Sequence, residues 1–450
     1  MTNRPKIRQL IRAGVLALAA SLIVATAAAC GGSSSGGGGS GATGSIKGQT
    51  ITYWASVEGT GVSGTTQEMT SLFTAFTKQT GVKVNLQVIP WATLLQKILT
   101  AVTSGNGPDV MEIGNTWSPS FAASGGFLQF TPSVMNQIGG SAKFSKSALA
   151  VSGAPGQAPI SVPVYSEAYS LFYNKADFKS AGISSPPATW TQFLADAQKL
   201  STGGRSGVAI EGASTSEAAH WAFLLGEQNG SPLYGGGKWD FATAKEAKAV
   251  QLYVNLVAQG DASKSDAESN SNVSETEFAS NKAAMLVWQN PMTTLGQLGM
   301  KSSAYGIAPI PVATAGATGS AAIETFPAGI NLAVPSSTKH QAAALALVKY
   351  LTSPTVQAQV NAAYGTFPPV LAAQQSAQFQ SAGEKTLISL YNNHALPLPQ
   401  VASESTMETD LGGAITHLIG QSATGGTVSV ATIQAALTSA QDQLNAASGG

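Results

Sequence analysis

Apolar positions in the first third of the chain switch between two periods. Gln49 to Trp54 alternates, as a strand with one buried face does. Thr66 to Thr80 sets Met69, Leu72, Phe73 and Phe76 at helical spacing, and Gly81 ends the run. Val82 to Val88 alternates again, and Ala92 to Thr103 carries Leu94, Leu95, Ile98, Leu99 and Val102 on one helical face. Gly105 and Gly107 stop that helix, Pro108 prevents its restart, and Asp109 to Ile113 reads as a short strand. A β-α-β-α-β order predicts a parallel, twisted sheet. Ligands of open α/β sheets bind outside the carboxyl ends of the strands. That rule singles out Thr116 and Trp117, on the loop opened by Gly114-Asn115; Glu58 lies on the loop Ala55 to Gly64. Periodicity alone also fits a core strand followed by a buried Trp117.

Further along, Thr189 to Gln192 has the form of a capping box, opening a helix with Phe193, Leu194 and Ala197 inward. Lys245 to Gln259 reads as helix ended by Gly260, Ser353-Pro354 as a helix start, and Thr432 to Leu444 as a final amphipathic helix. Gly59, Gly61 and Gly64 fit a G-x-G-x-x-G fingerprint, but the next strand ends in Pro90-Trp91 rather than in the acidic residue a dinucleotide ribose needs. The matches to G-x-S-x-G and G-x-G-x-x-G within Gly32 to Gly41 have no strand before them.

Length and composition then bound the class. With 450 residues, 43% of them hydrophobic and 10% charged, the chain predicts a folded core and more than one domain or lobe. Met1 to Arg12 is basic and Ala13 to Ala29 apolar, the form of a secretory signal peptide. Without Arg4, Lys6, Arg8 and Arg12, 19 basic residues face 23 acidic ones, a net charge of −4. Arg205 is then the one arginine left, and no basic patch suited to nucleic acid is visible. Cys30 is the single cysteine, so no internal disulfide forms, and the four histidines lack metal-ligand spacing. No cofactor is implied.

Four stretches carry a family resemblance: Phe76 to Trp117, Ser161 to Leu200, Phe278 to Pro291 and Ala328 to Val360. In order and spacing they resemble the extracellular solute-binding proteins that serve sugar importers of the ATP-binding-cassette type. Ala27-Ala28-Ala29-Cys30-Gly31 likewise resembles a bacterial lipobox, with Ala27 where that family prefers Leu. The resemblance implies an α/β, two-lobe, type II periplasmic-binding-protein-like fold with three hinge crossings and a ligand cleft between the lobes. The crossings would fall at Val162 to Tyr165, Thr325 to Ala328 and Ala363 to Phe367. The expected organisation is a signal peptide at 1–29, a lipidated Cys30 and Gly/Ser linker at 30–45, lobe one at 46–163 plus 325–363, and lobe two at 164–324 plus 364–450. Fifteen linker residues span roughly 20 Å as a flexible coil, room for the body to move above a membrane.

Sugars offer hydroxyls at the ring edge and apolar C–H faces, so a site needs flat aromatics and oriented polar groups. Trp117 and Trp288, one from each lobe, are the stacking candidates, with Trp221 a further one. Trp91 and Trp190 precede helices and read as packing; Trp239 lies beside Gly235 to Gly237, on a hairpin. Glu58, Asn115 and Glu167 are the polar candidates, Glu167 matching a cleft glutamate of maltose-binding relatives, with Asn290 and Phe367 as additions. The expectation is a monomeric, lipid-anchored receptor outside the cell membrane, without catalysis, passing a sugar to a permease. The alternatives are the same fold for a polyamine, glycerol phosphate or iron, or a carbohydrate-active hydrolase with two carboxylates flanking the bond.

Overall fold

The computed structural model describes residues 45–59, 61–270 and 273–447. The leader, Cys30 and the linker to Gly44 lie outside the described residues.

The alternating segments become the strands β1 (Thr50–Ser56), β2 (Lys83–Ile89) and β3 (Val110–Gly114), and β1 pairs in parallel with both neighbours. Asp109 fixes the start of β3: its carboxylate accepts the Thr52 N–H at 2.8 Å. The helix before it, Trp91–Ser104, ends on Gly105 at φ 68°, a left-handed cap that suits glycine. The first helix starts at Gly61, five residues earlier than its pattern suggests. Thr65 ties that extra turn to the loop, since the Glu58 N–H donates to its hydroxyl at 2.9 Å and the hydroxyl donates to the Glu58 carbonyl at 2.8 Å. The capping box at Thr189 and Gln192 is complete.

The remaining strands are β4 (Ser161–Glu167), β5 (Tyr169–Asn174), β6 (Ser206–Ala209), β7 (Tyr234–Gly235), β8 (Lys238–Trp239), β9 (Ala283–Gln289), β10 (Tyr305–Ala308) and β11 (Ala328–Ala333). One sheet has the order β2-β1-β3-β11-β4 and a second the order β10-β5-β9-β6, with β7 and β8 a separate hairpin. Each sheet has its own core. Apolar side chains fill both faces of the first sheet, with Ile51, Tyr53, Leu72 and Phe76 in one cluster and Trp54, Leu94, Ile98 and Met111 in the other. The second sheet packs under Phe193, Trp221, Val250, Leu411, Ile415 and Leu437.

The chain passes from the first sheet to the second between Glu167 and Tyr169 and returns between Phe326 and Ala328. The third passage departs from expectation. Phe367, Val370, Phe379, Leu387 and Tyr391 pack in the core of the first sheet, whereas Leu398 and Met407 pack in that of the second. The chain therefore changes lobes within 392–397, and the backbone bridge of Ser166 with Phe367 belongs to the first lobe. The expected crossing at Ala363 to Phe367 is replaced by this later one, because the apolar side chains after it are spent on the first sheet.

Candidate functional site

Strand direction collects the site. Parallel β1, β2 and β3 all end at one edge, at Ser56, Ile89 and Gly114. β4 ends there too, since Glu167 pairs with Ala328 and Ile330 with Gly114. In the second sheet Tyr169, at the start of β5, pairs with Gln289, at the end of β9, and β6 runs parallel to β9. The strand ends of both sheets thus converge where the chain crosses between them.

Glu112, inside β3, anchors the first-lobe side. It is 1% exposed and accepts from the Tyr53 hydroxyl at 2.5 Å, the Ser56 N–H at 2.7 Å, the Ser56 hydroxyl at 2.6 Å and the Tyr165 hydroxyl at 3.1 Å. Burial raises its pKa, and these hydrogen bonds pull it part of the way back. Ser56 Oγ also lies 2.7 Å from Glu58 Oε1. One hydroxyl proton cannot serve two carboxylates, so the arrangement is satisfied when Glu58 is protonated and donates to Ser56. The pKa of Glu58 agrees: burial, then the charges of Glu167 and Glu112, raise it well above the ordinary value. Burial, followed by the charge of Glu217, pushes Glu167 up to about 7.

On the second-lobe side, Glu217 and His220 sit one turn apart on the helix Thr215–Gln228. The Tyr169 hydroxyl lies 2.7 Å from Glu217 Oε2 and 2.8 Å from His220 Nδ1, and Gln289 reaches both Tyr169 and Glu217. His220 Nε2 is 3.1 Å from Glu408 on the helix Glu404–Gly425. Glu408 also accepts the Trp117 indole N–H at 3.0 Å, a bond from one lobe to the other. Burial works against the Glu408 charge, but the bonds from His220, Thr116 and Trp117 outweigh it and hold the pKa below the usual value. Two further contacts reinforce the junction. Ser405 N–H donates to Ser120 at 3.1 Å, and Asn115 Nδ2 donates to the Pro327 carbonyl at 2.6 Å, on the return crossing.

The predicted residues divide. Glu58, Asn115, Glu167 and Asn290 all reach the junction. Trp117 reaches it as well, though not as an open face. It is 4% exposed, its ring stacks on Trp91 at 4.7 Å, Phe121 meets its edge, and its N–H is engaged by Glu408. Trp91, which reads as packing in the sequence, is 38% exposed and is the outer half of that indole pair. Two candidates are corrected. Trp221 lies in the second-lobe core, stacked on Tyr253 at 4.5 Å and against Trp190 at 5.4 Å. Phe367 is fully buried in the first-lobe core against Tyr391. Trp288 is half-buried beside the Phe172, Phe278 and Leu295 cluster. Sequence reading missed Tyr169, Glu217, His220, Gln289 and Glu408. The i, i+3 placement of Glu217 and His220, soon after the end of β6, was the one local signal.

Two sheet-containing lobes joined at converging strand ends, with polar groups from both at the junction, define a solute-binding protein of the type II periplasmic class. The family model for bacterial extracellular solute-binding proteins matches residues 63–358, and the chain belongs to that family. It is 25% identical over 241 residues to a binding protein of Brucella abortus, an alignment covering 53% of this chain and 58% of that protein's length. It is 26% identical over 363 residues to the diacetylchitobiose binding protein DasA of Streptomyces coelicolor, covering 78% of this chain and 80% of DasA. In fold it resembles a solute-binding protein of Thermotoga lettingae bound with alpha-D-tagatose. That match has a TM-score of 0.76 at 21% identity and covers 88% of this chain and 99% of the other.

Proposed function

We propose that this protein is a lipid-anchored receptor that captures a saccharide between its lobes and delivers it to the permease of an ATP-binding-cassette importer. The observation that carries the reading is the junction itself. Glu58, Glu167, Asn290 and the 38% exposed Trp91 come from the strand ends of both lobes, beside the chain of hydrogen bonds that runs from Trp117 through Glu408, His220 and Tyr169 to Glu217. Carboxylates and an amide orient hydroxyls, and an indole face takes an apolar C–H face. Ligand contacts made from both sides favour the closed arrangement over an open one, so binding and closure are a single equilibrium. No bond in the ligand is broken. The family, and the diacetylchitobiose that DasA is named for binding, agree with a sugar.

A thermal-shift screen with mono-, di- and oligosaccharides tests the reading. A saccharide present at 100 times its dissociation constant adds about 2.7 kcal/mol to the stability. It should also be recovered intact after incubation. Hydrolysis of a labelled oligosaccharide, or a screen in which no saccharide shifts the transition, overturns the reading.

A further inference from the structure

The junction holds far more acidic side chains than basic ones. Glu58, Glu167, Glu217 and Glu408 meet there, and Glu275, which feels the charges of Glu211, Glu167 and Glu217, stands beside them. Among the described residues the one basic side chain within ion-pair reach of these groups is His220, shared by Glu217 and Glu408. Arg205 is occupied elsewhere, by Asp177. The Glu167 carboxylate accepts no hydrogen bond from any described residue, although it ends β4 at the crossing. Its neighbour Ala168 donates its N–H to Asn290 Oδ1 at 3.3 Å. Asn290, 5% exposed and held at φ 42°, is left with an unpartnered Nδ2. A buried amide donor without an acceptor costs free energy, and so does the left-handed backbone of a residue that is not glycine. A ligand oxygen that accepts a hydrogen bond from Nδ2 would satisfy that donor. Among the described residues no group of His, Cys, Asp and Glu is placed to hold a metal ion.

We infer that the ligand carries a protonated amine on a hydroxylated framework, an amino-saccharide, with its ammonium seated at Glu167, where the charge of Glu217 is also felt, and a hydroxyl oxygen accepting from Asn290 Nδ2. The inference rests on the saccharide reading above and names the class within it. A neutral sugar would meet Glu167 by hydrogen bonds alone and bring no charge to its carboxylate. An ammonium supplies both donors and charge. A polyamine would supply the charge but no acceptor for Asn290. The pKa of Glu167, raised by burial and by Glu217, is in keeping with a carboxylate waiting for a cation.

The test is isothermal calorimetry on the full-length mature chain at neutral pH with four probes: the β-1,4 dimer of glucosamine, its N,N'-diacetylated form, a neutral glucose disaccharide and spermidine. A charge-assisted hydrogen bond in place of a neutral one predicts that the free-amine dimer binds roughly 10- to 100-fold more tightly than its acetylated form. Raising the ionic strength should narrow that preference, and Glu167→Gln, which keeps the shape and removes the charge, should narrow it further. Saccharide binding with no preference for the free amine, or a preference unchanged in Glu167→Gln, overturns the amine inference and leaves the saccharide reading standing. Binding of spermidine without binding of any saccharide, or binding of none of the four, overturns both.

Discussion

The carboxylates at the lobe junction have to be considered one at a time, because burial acts on each differently. Glu112 is consumed by four donors from Tyr53, Ser56 and Tyr165 and is a structural group. Its loss strands buried hydroxyls and an N–H, so Glu112→Ala should cost about 2–5 kcal/mol of stability in urea unfolding of the ligand-free protein. A cost near zero would mean those donors find other acceptors. Glu167 is the opposite case, with a pKa raised from 4.5 to about 7. A raised carboxylate pKa means the folded protein holds a proton that the unfolded chain has released. Its contribution therefore favours folding below pH 4.5, fades as the pH climbs from 4.5 towards 7, and is lost above that. Glu58, Glu217 and Glu275 shift in the same direction. The melting temperature of the ligand-free protein should thus fall between pH 5 and pH 8, and Glu167→Gln should flatten part of that slope. A slope that is unchanged or reversed in the variant would show that Glu167 does not titrate there. Of these groups only Glu58 and Glu167 were legible in the sequence, as loop or crossing positions. Glu217 and Glu408 are 191 positions apart and meet only through His220.

At the scale of elements, two helices set the junction. Helix Glu404–Gly425 lies across helix Thr215–Gln228 at Gly412, where an added Cβ would sit 1.9 Å from the Thr215 carbonyl oxygen. That close approach lets Glu408 reach His220. Gly412→Ala should push the helices apart, cost about 1–3 kcal/mol as an overpacked contact, and weaken saccharide binding along with stability. Unchanged affinity in calorimetry would separate the helix crossing from the site. The helix Trp91–Ser104 places the other feature, the Trp91–Trp117 stack. Trp117→Ala should behave as a core truncation, costing about 3–5 kcal/mol. Trp91→Ala should lower saccharide affinity with a far smaller loss of stability. The reverse ranking would assign the exposed indole to packing and the buried one to the ligand. The helices and strands of the first lobe were readable because their periods are clean and their stops are glycine and proline. Trp91 packs on Trp117 as the sequence reading has it, yet it is also exposed: the first residue of a helix that follows a strand packs on its neighbours and also lies at the strand-end edge of the sheet, and sequence does not separate the two roles. The segment 365–403 defied reading because its short turns and scattered apolar residues have no period, so nothing local tells which sheet they cover.

At the scale of the whole molecule, the proposed function requires two lobes that bind one solute by closing on it. Cys30, though outside the described residues, bears on where this happens. Cys30→Ser should release the folded body from the membrane fraction into the medium or stall its processing; unchanged processing and membrane retention would remove the lipid anchor from the account. The junction bonds Trp117 to Glu408, Ser405 to Ser120 and Asn115 to Pro327 hold the lobes together in the structure described. A ligand binding both sides would add to these contacts and shift the population towards the closed arrangement. The two-lobe plan was legible from the order of motifs along the chain. The position of the last crossing was not, because it depends on how Phe367 to Tyr391 pack. The claim of closure is tested most directly by distance. Spin labels at Gln67→Cys, on the first lobe, and Lys248→Cys, on the second, would be placed in a Cys30→Ser background and measured by double electron–electron resonance. Saccharide should collapse a broad distribution onto its short, narrow component, and Glu408→Gln should enlarge the long component in the ligand-free protein. A distribution that does not move when calorimetry shows the saccharide bound would contradict capture by lobe closure.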